Sequence, residues 1–307
     1  IHLRFFYAYN EEKKEKDRLR ADSYKIAVIG GDKRQMYLAR ILAKKGYEVA
    51  VYGLCERVHD ERIREATSLK EALKEVDAAV GPVPFIRSGK ITGTYEVPDM
   101  NIETLFDKLP ENTDFFAGNI PGEARRYAQG KGIGAYDMMK DELVAARNAV
   151  ATAEGVVAEA ITRSPVNLTK SRCLVLGYGR CGSVLTRLLK SFLCRVLVSE
   201  KDKTRAADAF VLADGMVSEA ELTDAVGNVD FIFNTVPERI LSEERLRHVG
   251  KNTWILDIAS APGGVDYRAA EALSVNAVLL PGLPGRYAPA SSAEILADFI
   301  ESHIRLR

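Results

Sequence analysis

The 307-residue sequence has one tryptophan, four histidines and four cysteines, and each scarcity closes off a class of chemistry. Cys55, Cys173, Cys181 and Cys194 form no Cys-x-x-Cys pair and keep no metal-ligand spacing with His2, His59, His248 or His303. Neither a zinc site nor a disulfide framework is expected, and four small buried thiols suit a reducing cytoplasm. No apolar run approaches the ~20 residues of a membrane span. The opening IHLRFFYAYN has no h-region and no small-residue cleavage site, so it does not read as a signal peptide. Charge of one sign is not in surplus: 43 Lys and Arg balance 43 Asp and Glu. That excludes the simple electrostatic case for nucleic-acid binding. A nucleophile elbow and a Ser-His-Asp pattern are missing as well, so hydrolysis has no support.

What is present is apolar periodicity. Hydrophobic residues make up 47% of the chain, and the length suggests two domains. Glu11–Arg20 is a mixed charge run and reads as a solvated helix or a frayed tail. IAVIG at Ile26–Gly30 has buried-strand length. DKRQMYLARILAKKG follows with a helical face and a Gly stop, and then the strand EVAVYG. This is a βαβ unit, which implies a parallel sheet. Further strands are expected at Asp77–Val80 and Asp114–Ala117, and Gly81–Pro98 reads as a long surface loop of functional type. Asp141–Ile161 is rich in Ala and Glu and predicts a long helix. After Pro165 the alternation resumes with RCLVLGYGRCG, RVLVSE, DFIFNT, TWILDIAS and AVLLPG as strands or strand-to-turn segments. A final amphipathic helix is expected at Ser292–Ile304, N-capped by Ser291 or Ser292.

The pattern predicts an α/β protein of two Rossmann-like, doubly wound parallel-sheet domains with a cleft between them, joined by a long helix. The expected segments are a charged tail (1–24), a substrate domain (25–145), the linking helix (146–165), an NAD(P)-binding domain (166–288) and a C-terminal helix (289–307) packing back on the first domain.

Gly177-Tyr178-Gly179-Arg180-Cys181-Gly182 fits G-x-G-x-x-G, and it follows a strand and opens a helix, the context this pattern needs. Gly177 permits the tight turn, Gly179 lets backbone approach a pyrophosphate, and Gly182 lets helix and strand pack closely. Free N–H groups at the helix start then face the phosphates. Glu200, 23 residues after Gly177, stands where an acid binds the ribose hydroxyls of NAD. Lys201, Lys203 and Arg205 follow at once and suit a 2′-phosphate, so the cofactor is NAD or NADP, with the acid leaning to NAD. Thr235, Val236 and Pro237 after one strand, and Asp257 and Ser260 after the next, join the cofactor site by position, because ligands bind at the carboxyl ends of strands. In the first domain, Lys33 and Arg34 open a helix whose N-terminus makes an anion site, fit for a substrate carboxylate.

IGGDKRQ (Ile29–Gln35), NAVATAEG (Asn148–Gly155), LGYGRCG (Leu176–Gly182), NTVP (Asn234–Pro237), LDIASAPGGVD (Leu256–Asp266) and PGLPGRYAP (Pro281–Pro289) occur in an order that resembles the dipicolinate synthase A-subunit family, from about Lys25 to Ile304. The resemblance implies a sporulation protein of the mother-cell cytoplasm. It would oxidise dihydrodipicolinate to pyridine-2,6-dicarboxylate with NAD(P), alongside the flavoprotein-like B-subunit of dipicolinate synthase. The family usually has Pro where this chain has Ala151. Such a substrate needs two carboxylates held and one proton accepted. Asn148, Thr152 and Gly155, spaced by four and three, share one helix face. On it Asn148 and Thr152 are candidates for carboxylate binding and catalysis, with Glu154 orienting a cation or taking the proton beside Arg147. The competing readings are another two-domain dehydrogenase of the shikimate or alanine type, and a non-catalytic nucleotide-binding protein or sensor. No metal, nucleic-acid or membrane partner is expected, and a homo-oligomer stays open.

Overall fold

The computed structural model describes residues 24–304, so the charged run Glu11–Arg20 lies outside the described residues. The chain divides into two units, Ile1–Ala145 with Pro289–Arg307, and Ala146–Ala288. The first runs β1 (Lys25–Ile29), α1 (Lys33–Lys44), β2 (Glu48–Tyr52), β3 (Ile63–Glu65), α2 (Leu69–Ala72), β4 (Ala78–Val80), β5 (Ile86–Arg87), β6 (Lys90–Ile91), α3 (Ile102–Lys108), β7 (Asp114–Ala117), α4 (Gly122–Gly130) and β8 (Gly134–Asp137). Six of these strands pair in parallel in the order β3-β2-β1-β4-β7-β8. Their apolar, β-branched runs suit a sheet covered on both faces. Ile26 and Val28 are buried on one face, Ala27 and Ile29 on the other. The α1 helix starts where the Asp32 carboxylate accepts the Arg34 N–H at 3.0 Å while the Asp32 N–H donates to Gln35 Oε1 at 3.3 Å, a reciprocal cap that satisfies two otherwise orphan donors.

Helix α5 (Glu142–Arg163) leads into the second unit. There follow β9 (Arg172–Leu176), α6 (Arg180–Ser191), β10 (Arg195–Ser199), α7 (Lys203–Leu212), β11 (Gly215–Met216), α8 (Leu222–Val226), β12 (Phe231–Asn234), α9 (Glu243–Leu246), β13 (Trp254–Asp257), α10 (Tyr267–Ala272), β14 (Asn276–Leu279) and α11 (Leu283–Tyr287). The sheet order β11-β10-β9-β12-β13-β14 repeats that of the first unit, again all parallel. Both are doubly wound Rossmann-type sheets, each with its switch point beside its first strand.

Two local expectations change. The last helix, α12, covers Pro289–His303, so Ser291 and Ser292 lie inside its first turn and not at its N-cap; Pro289 at the helix start has the fixed φ that a first turn wants. This helix packs on α1, burying Leu296, Phe299 and Ile300 in the first unit's core. The Gly81–Pro98 stretch is not simply a surface loop. It folds into the hairpin β5–β6 across Ser88-Gly89, both at positive φ, and buries Phe85 and Ile91. After β14, Gly282, at φ +70°, turns the chain into α11.

Candidate functional site

Register builds the site in the second unit. Leu176 pairs with Ser199 and with Asn234, and Asn234 pairs with Asp257. The residues just beyond, Gly177, Glu200 and Thr235, therefore share one sheet edge. This is the carboxyl edge, flanking the switch point between β9 and β12 where doubly wound sheets hold ligands.

The three glycines differ in what they tolerate. Gly177 has φ +88°, and a Cβ there would lie 2.5 Å from Thr235 Oγ1. A Cβ on Gly182 would lie 2.1 Å from the Gly177 carbonyl oxygen, so only glycine lets α6 start this close to the turn. Gly179 sits in extended backbone at the N-cap of α6, with no side-chain cap. A Cβ there would meet only Arg205 Nη1, at 3.9 Å. The space over Gly179 is thus open, at the N-terminal end of α6 and bordered by a guanidinium, which fits a pyrophosphate.

Glu200 closes the turn from the other side. Its carboxylate accepts the Tyr178 N–H at 2.6 Å and the Asp202 N–H at 2.9 Å. Lys201 pairs with Glu238 at 3.6 Å across an exposed stretch. The Thr235 hydroxyl donates to the Leu176 carbonyl at 2.9 Å, and Val236 is tied to Asn234 through its N–H and carbonyl. Pro237, Arg180 and Ser260 are exposed, and Cys181 is half-buried. Burial pushes the Cys181 thiol up, so it is a weak nucleophile.

Two of the expected cofactor contacts belong elsewhere. The Tyr178 ring is buried in the unit's core, where burial raises its phenol; only its backbone serves the turn. Asp257 is 0% exposed. It accepts from Asn234 Nδ2 (2.8 Å), Ala259 N (3.0 Å), Gly264 N (2.8 Å) and Tyr267 Oη (2.9 Å). It therefore organises the Ala261-Pro262-Gly263-Gly264 turn, and its oxygens are taken up by these four internal donors. Gly263, at φ +86°, has room for no Cβ beside that carboxylate.

On α5, Thr152 donates to the Asn148 carbonyl at 3.0 Å and lies within hydrogen-bond reach of the Cys181 thiol. Asn148 and Thr152 are thus half-buried on the stripe that meets the glycine turn, and Glu154 is exposed off that stripe. Gly155 allows close approach, but of α11: a Cβ would lie 3.0 Å from both Leu283 and Tyr287. One turn on, Glu159 is 3% exposed and accepts from Arg163 (2.8 Å), Tyr287 Oη (2.7 Å) and Arg286. Burial pushes its carboxyl up, but these hydrogen bonds and the two guanidinium charges outweigh burial and hold it below the usual range. Glu159 continues the 148, 152, 155 spacing by four, which was the available sequence signal for it.

In the first unit, Arg34 also takes a different role from the one expected. It is 5% exposed, chelates the Asp32 carboxylate (2.8–3.2 Å) and donates to the Val83 carbonyl. Lys33 is exposed and pairs with Glu56 at 3.7 Å. With Asp32 seated on the helix start, that N-terminus already has its anion.

Residues 25–139 match the family of N-terminal domains of the dipicolinate synthase A-subunit. Residues 140–276 match the NAD-binding domain of the D-isomer specific 2-hydroxyacid dehydrogenases. A curated relative, the dipicolinate synthase A-subunit of Bacillus subtilis, is 28% identical over 90% of this chain and 94% of its own length. The chain is similar to that protein from end to end of its described sheets. The crystal structure of the Bacillus subtilis protein superposes with a TM-score of 0.78 at 26% identity, over 91% of this chain and 95% of that one. The corresponding dipicolinate synthase protein of Bacillus halodurans shares the fold, with a TM-score of 0.82 at 23% identity over 92% and 98%. The second unit is accordingly an NAD(P)-binding domain of dehydrogenase type, and the glycine turn, the open face of Gly179 and Glu200 are the groups that fit the nucleotide. Among the described residues, no helix is long and apolar enough to cross a membrane, and no cluster of ligand side chains suits a metal ion.

Proposed function

We propose that the chain oxidises dihydrodipicolinate to pyridine-2,6-dicarboxylate with NAD or NADP, in the mother-cell cytoplasm during sporulation and together with the flavoprotein-like B-subunit of dipicolinate synthase. The observation that carries this reading is the likeness to the Bacillus subtilis dipicolinate synthase A-subunit over 94% of that protein's length, with a glycine turn, Glu200 and Thr235 together at the carboxyl edge of the second sheet. NAD(P) held there supplies the hydride acceptor. The chain's own residues then have defined tasks. Gly177, Gly179 and Gly182 shape the turn, and Arg180, Cys181 and Arg205 border it. Glu200 takes the ribose hydroxyls, with Lys201 beside it, and Thr235, Val236, Pro237 and Ser260 line the far side of the switch point.

In this reading Thr152, beside Cys181, and Asn148, one turn before it, hold or orient a polar group. Glu154 is the carboxylate with solvent access and is the proposed proton acceptor; a weak base suffices because aromatisation drives proton loss. Glu159 with Arg286 and Tyr287 fixes α11 against this stripe and positions it.

The test is turnover of freshly generated dihydrodipicolinate by the purified full chain, with NAD and NADP in parallel, with and without the B-subunit. Reduced nicotinamide absorbance and product mass are the readouts. Dipicolinate formed with either cofactor supports the proposal. Tight nucleotide binding without product under any condition refutes it and favours a non-catalytic nucleotide-binding protein.

A further inference from the structure

The carboxyl edge of the first sheet holds its own cavity, of about 580 Å³. It is lined by the β5–β6 hairpin and the segment after it, including Arg87, Lys90, Thr92, Thr94, Tyr95 and Met100. The place is the one where a doubly wound sheet takes its ligand, but here the chain itself fills the nucleotide position. The Gly31 N–H donates to the Thr92 carbonyl at 2.8 Å, a parallel bridge joins Gly31 to Gly93, and a Cβ on Gly30 would lie 2.8 Å from that same carbonyl oxygen. Met100 reaches over Gly30 and Gly53, the residues that follow β1 and β2. What remains has the volume of a small-molecule site, too tightly roofed at the glycine turn for a pyrophosphate.

The charges around this cavity can be assigned one by one. Lys90 is neutralised by Glu96 at 2.7 Å. Asp32 is bound by Arg34. Burial pushes the Asp32 carboxyl up, but the bonds and charge of Arg34, with the charge of Arg87, outweigh it and keep Asp32 ionised. Among the described residues the Arg87 side chain makes no hydrogen bond and no ion pair, which leaves one guanidinium charge over at the cavity wall. Thr92 adds a hydroxyl: its Oγ1 is buried and has no hydrogen-bond partner among the described residues. Buried polar groups are rarely left so, and an unpaired one beside a cavity is the mark of a missing partner. Ile91, Val97 and Met100 give the site an apolar wall.

We infer that this cavity binds a small, ring-bearing organic carboxylate, with Arg87 as its cationic ligand and the wall of Ile91, Val97 and Met100 against the ring. Naming that carboxylate as the substrate's rests on the function proposed above; the site itself does not. A guanidinium suits a carboxylate because its planar donors match both oxygens.

The experiment is calorimetric titration of the full chain with pyridine-2,6-dicarboxylate in metal-depleted buffer, using the uncharged pyridine-2,6-dicarboxamide as control. Wild type is expected to bind the dicarboxylate saturably and the diamide not at all. Arg87→Gln is expected to weaken binding at least tenfold and Arg87→Lys to recover part of it. Affinity for reduced nicotinamide nucleotide and the unfolding transition should not move, because the Arg87 side chain is exposed and makes no hydrogen bond or ion pair. Equal affinity in wild type and Arg87→Gln overturns the inference, as does failure of wild type to bind the dicarboxylate with or without nucleotide. Turnover separates the two proposals. Oxidation with unchanged KM in Arg87→Gln keeps the reaction and removes this site. Arg87-dependent binding without oxidation keeps the site and removes the reaction.

Discussion

Substituting alanine at Gly179 and at Gly182 should have opposite consequences, although the two glycines belong to one motif. At Gly182 the new methyl would lie 2.1 Å from the Gly177 carbonyl oxygen and 3.0 Å from its carbonyl carbon. Both obstacles are backbone, so relief needs α6 to move off the turn by about 1 Å. Overpacking of this kind costs about 1–3 kcal/mol, and a backbone obstacle puts Gly182→Ala at the upper end, about 3 kcal/mol. At Gly179 the backbone is already extended (φ −74°, ψ −160°) and the nearest atom is 3.9 Å away. Gly179→Ala should leave stability unchanged or raise it by ~0.4–1 kcal/mol, through a less flexible unfolded chain. Its methyl, however, occupies the approach of a pyrophosphate, and a ten- to hundredfold loss of nucleotide affinity, about 1.4–2.7 kcal/mol, is expected. Trp254 is the sole tryptophan and lies in β13 of the same unit, so its fluorescence in a urea titration reads that unit's stability directly. Calorimetry with NADH and NADPH gives the affinity. If Gly179→Ala binds nucleotide like wild type, or if both variants lose stability equally, the assignment of this turn is wrong.

Four further outcomes are expected. Asp257→Asn keeps one acceptor oxygen for four inward donors and so strands about two of them; at ~1–3 kcal/mol each, the Trp254-monitored transition should lose about 2–6 kcal/mol. Ile300→Ala empties a fully buried position between α12 and the first unit's core. A loss of about 2–5 kcal/mol is expected, read by circular dichroism in urea. Glu159, whose carboxyl is held below its ordinary 4.5 in the folded protein, contributes stability that is present above that value and lost as pH falls through the lowered one. Wild type should therefore weaken below about pH 4.5 more steeply than Glu159→Gln, in paired urea titrations across that window. Glu200→Gln keeps an acceptor for the Tyr178 N–H but removes the charge facing a 2′-phosphate, so the ratio of NADPH to NADH affinity should rise about tenfold, roughly 1.4 kcal/mol; an unchanged ratio would exclude Glu200 from ribose recognition.

Much of the fold is local information, and so it was legible. The IAVIG and RCLVL runs are long enough for buried parallel strands and too short for core helices. The glycines after them mark where each chain segment must turn, and an Ala-rich stretch with few breakers reads as a long helix. The G-x-G-x-x-G spacing fixes backbone approach within six residues, so Gly177, Gly179 and Gly182 carried their meaning unaided. The short elements β3, α2 and β8 escaped because three or four residues show no period. Gly81–Pro98 escaped because its Pro and Gly content resembles that of any loop, whereas Phe85 and Ile91 are drawn inward only once a sheet edge exists to cover.

Side-chain roles were decided by tertiary structure. A carboxylate after a strand reads the same whether it meets a ribose, as proposed for Glu200, or four internal donors, as at Asp257. Arg34 looked free beside a helix start until Asp32 and the Val83 carbonyl, 49 residues away, claimed it. Glu159 gained its meaning from Arg286 and Tyr287, more than 120 residues later in the chain. Sequence spacing determines which backbone can be where. Which polar group satisfies which depends on partners brought together across the fold, because burial makes every unpaired donor or charge costly and leaves each one only the neighbours that packing supplies.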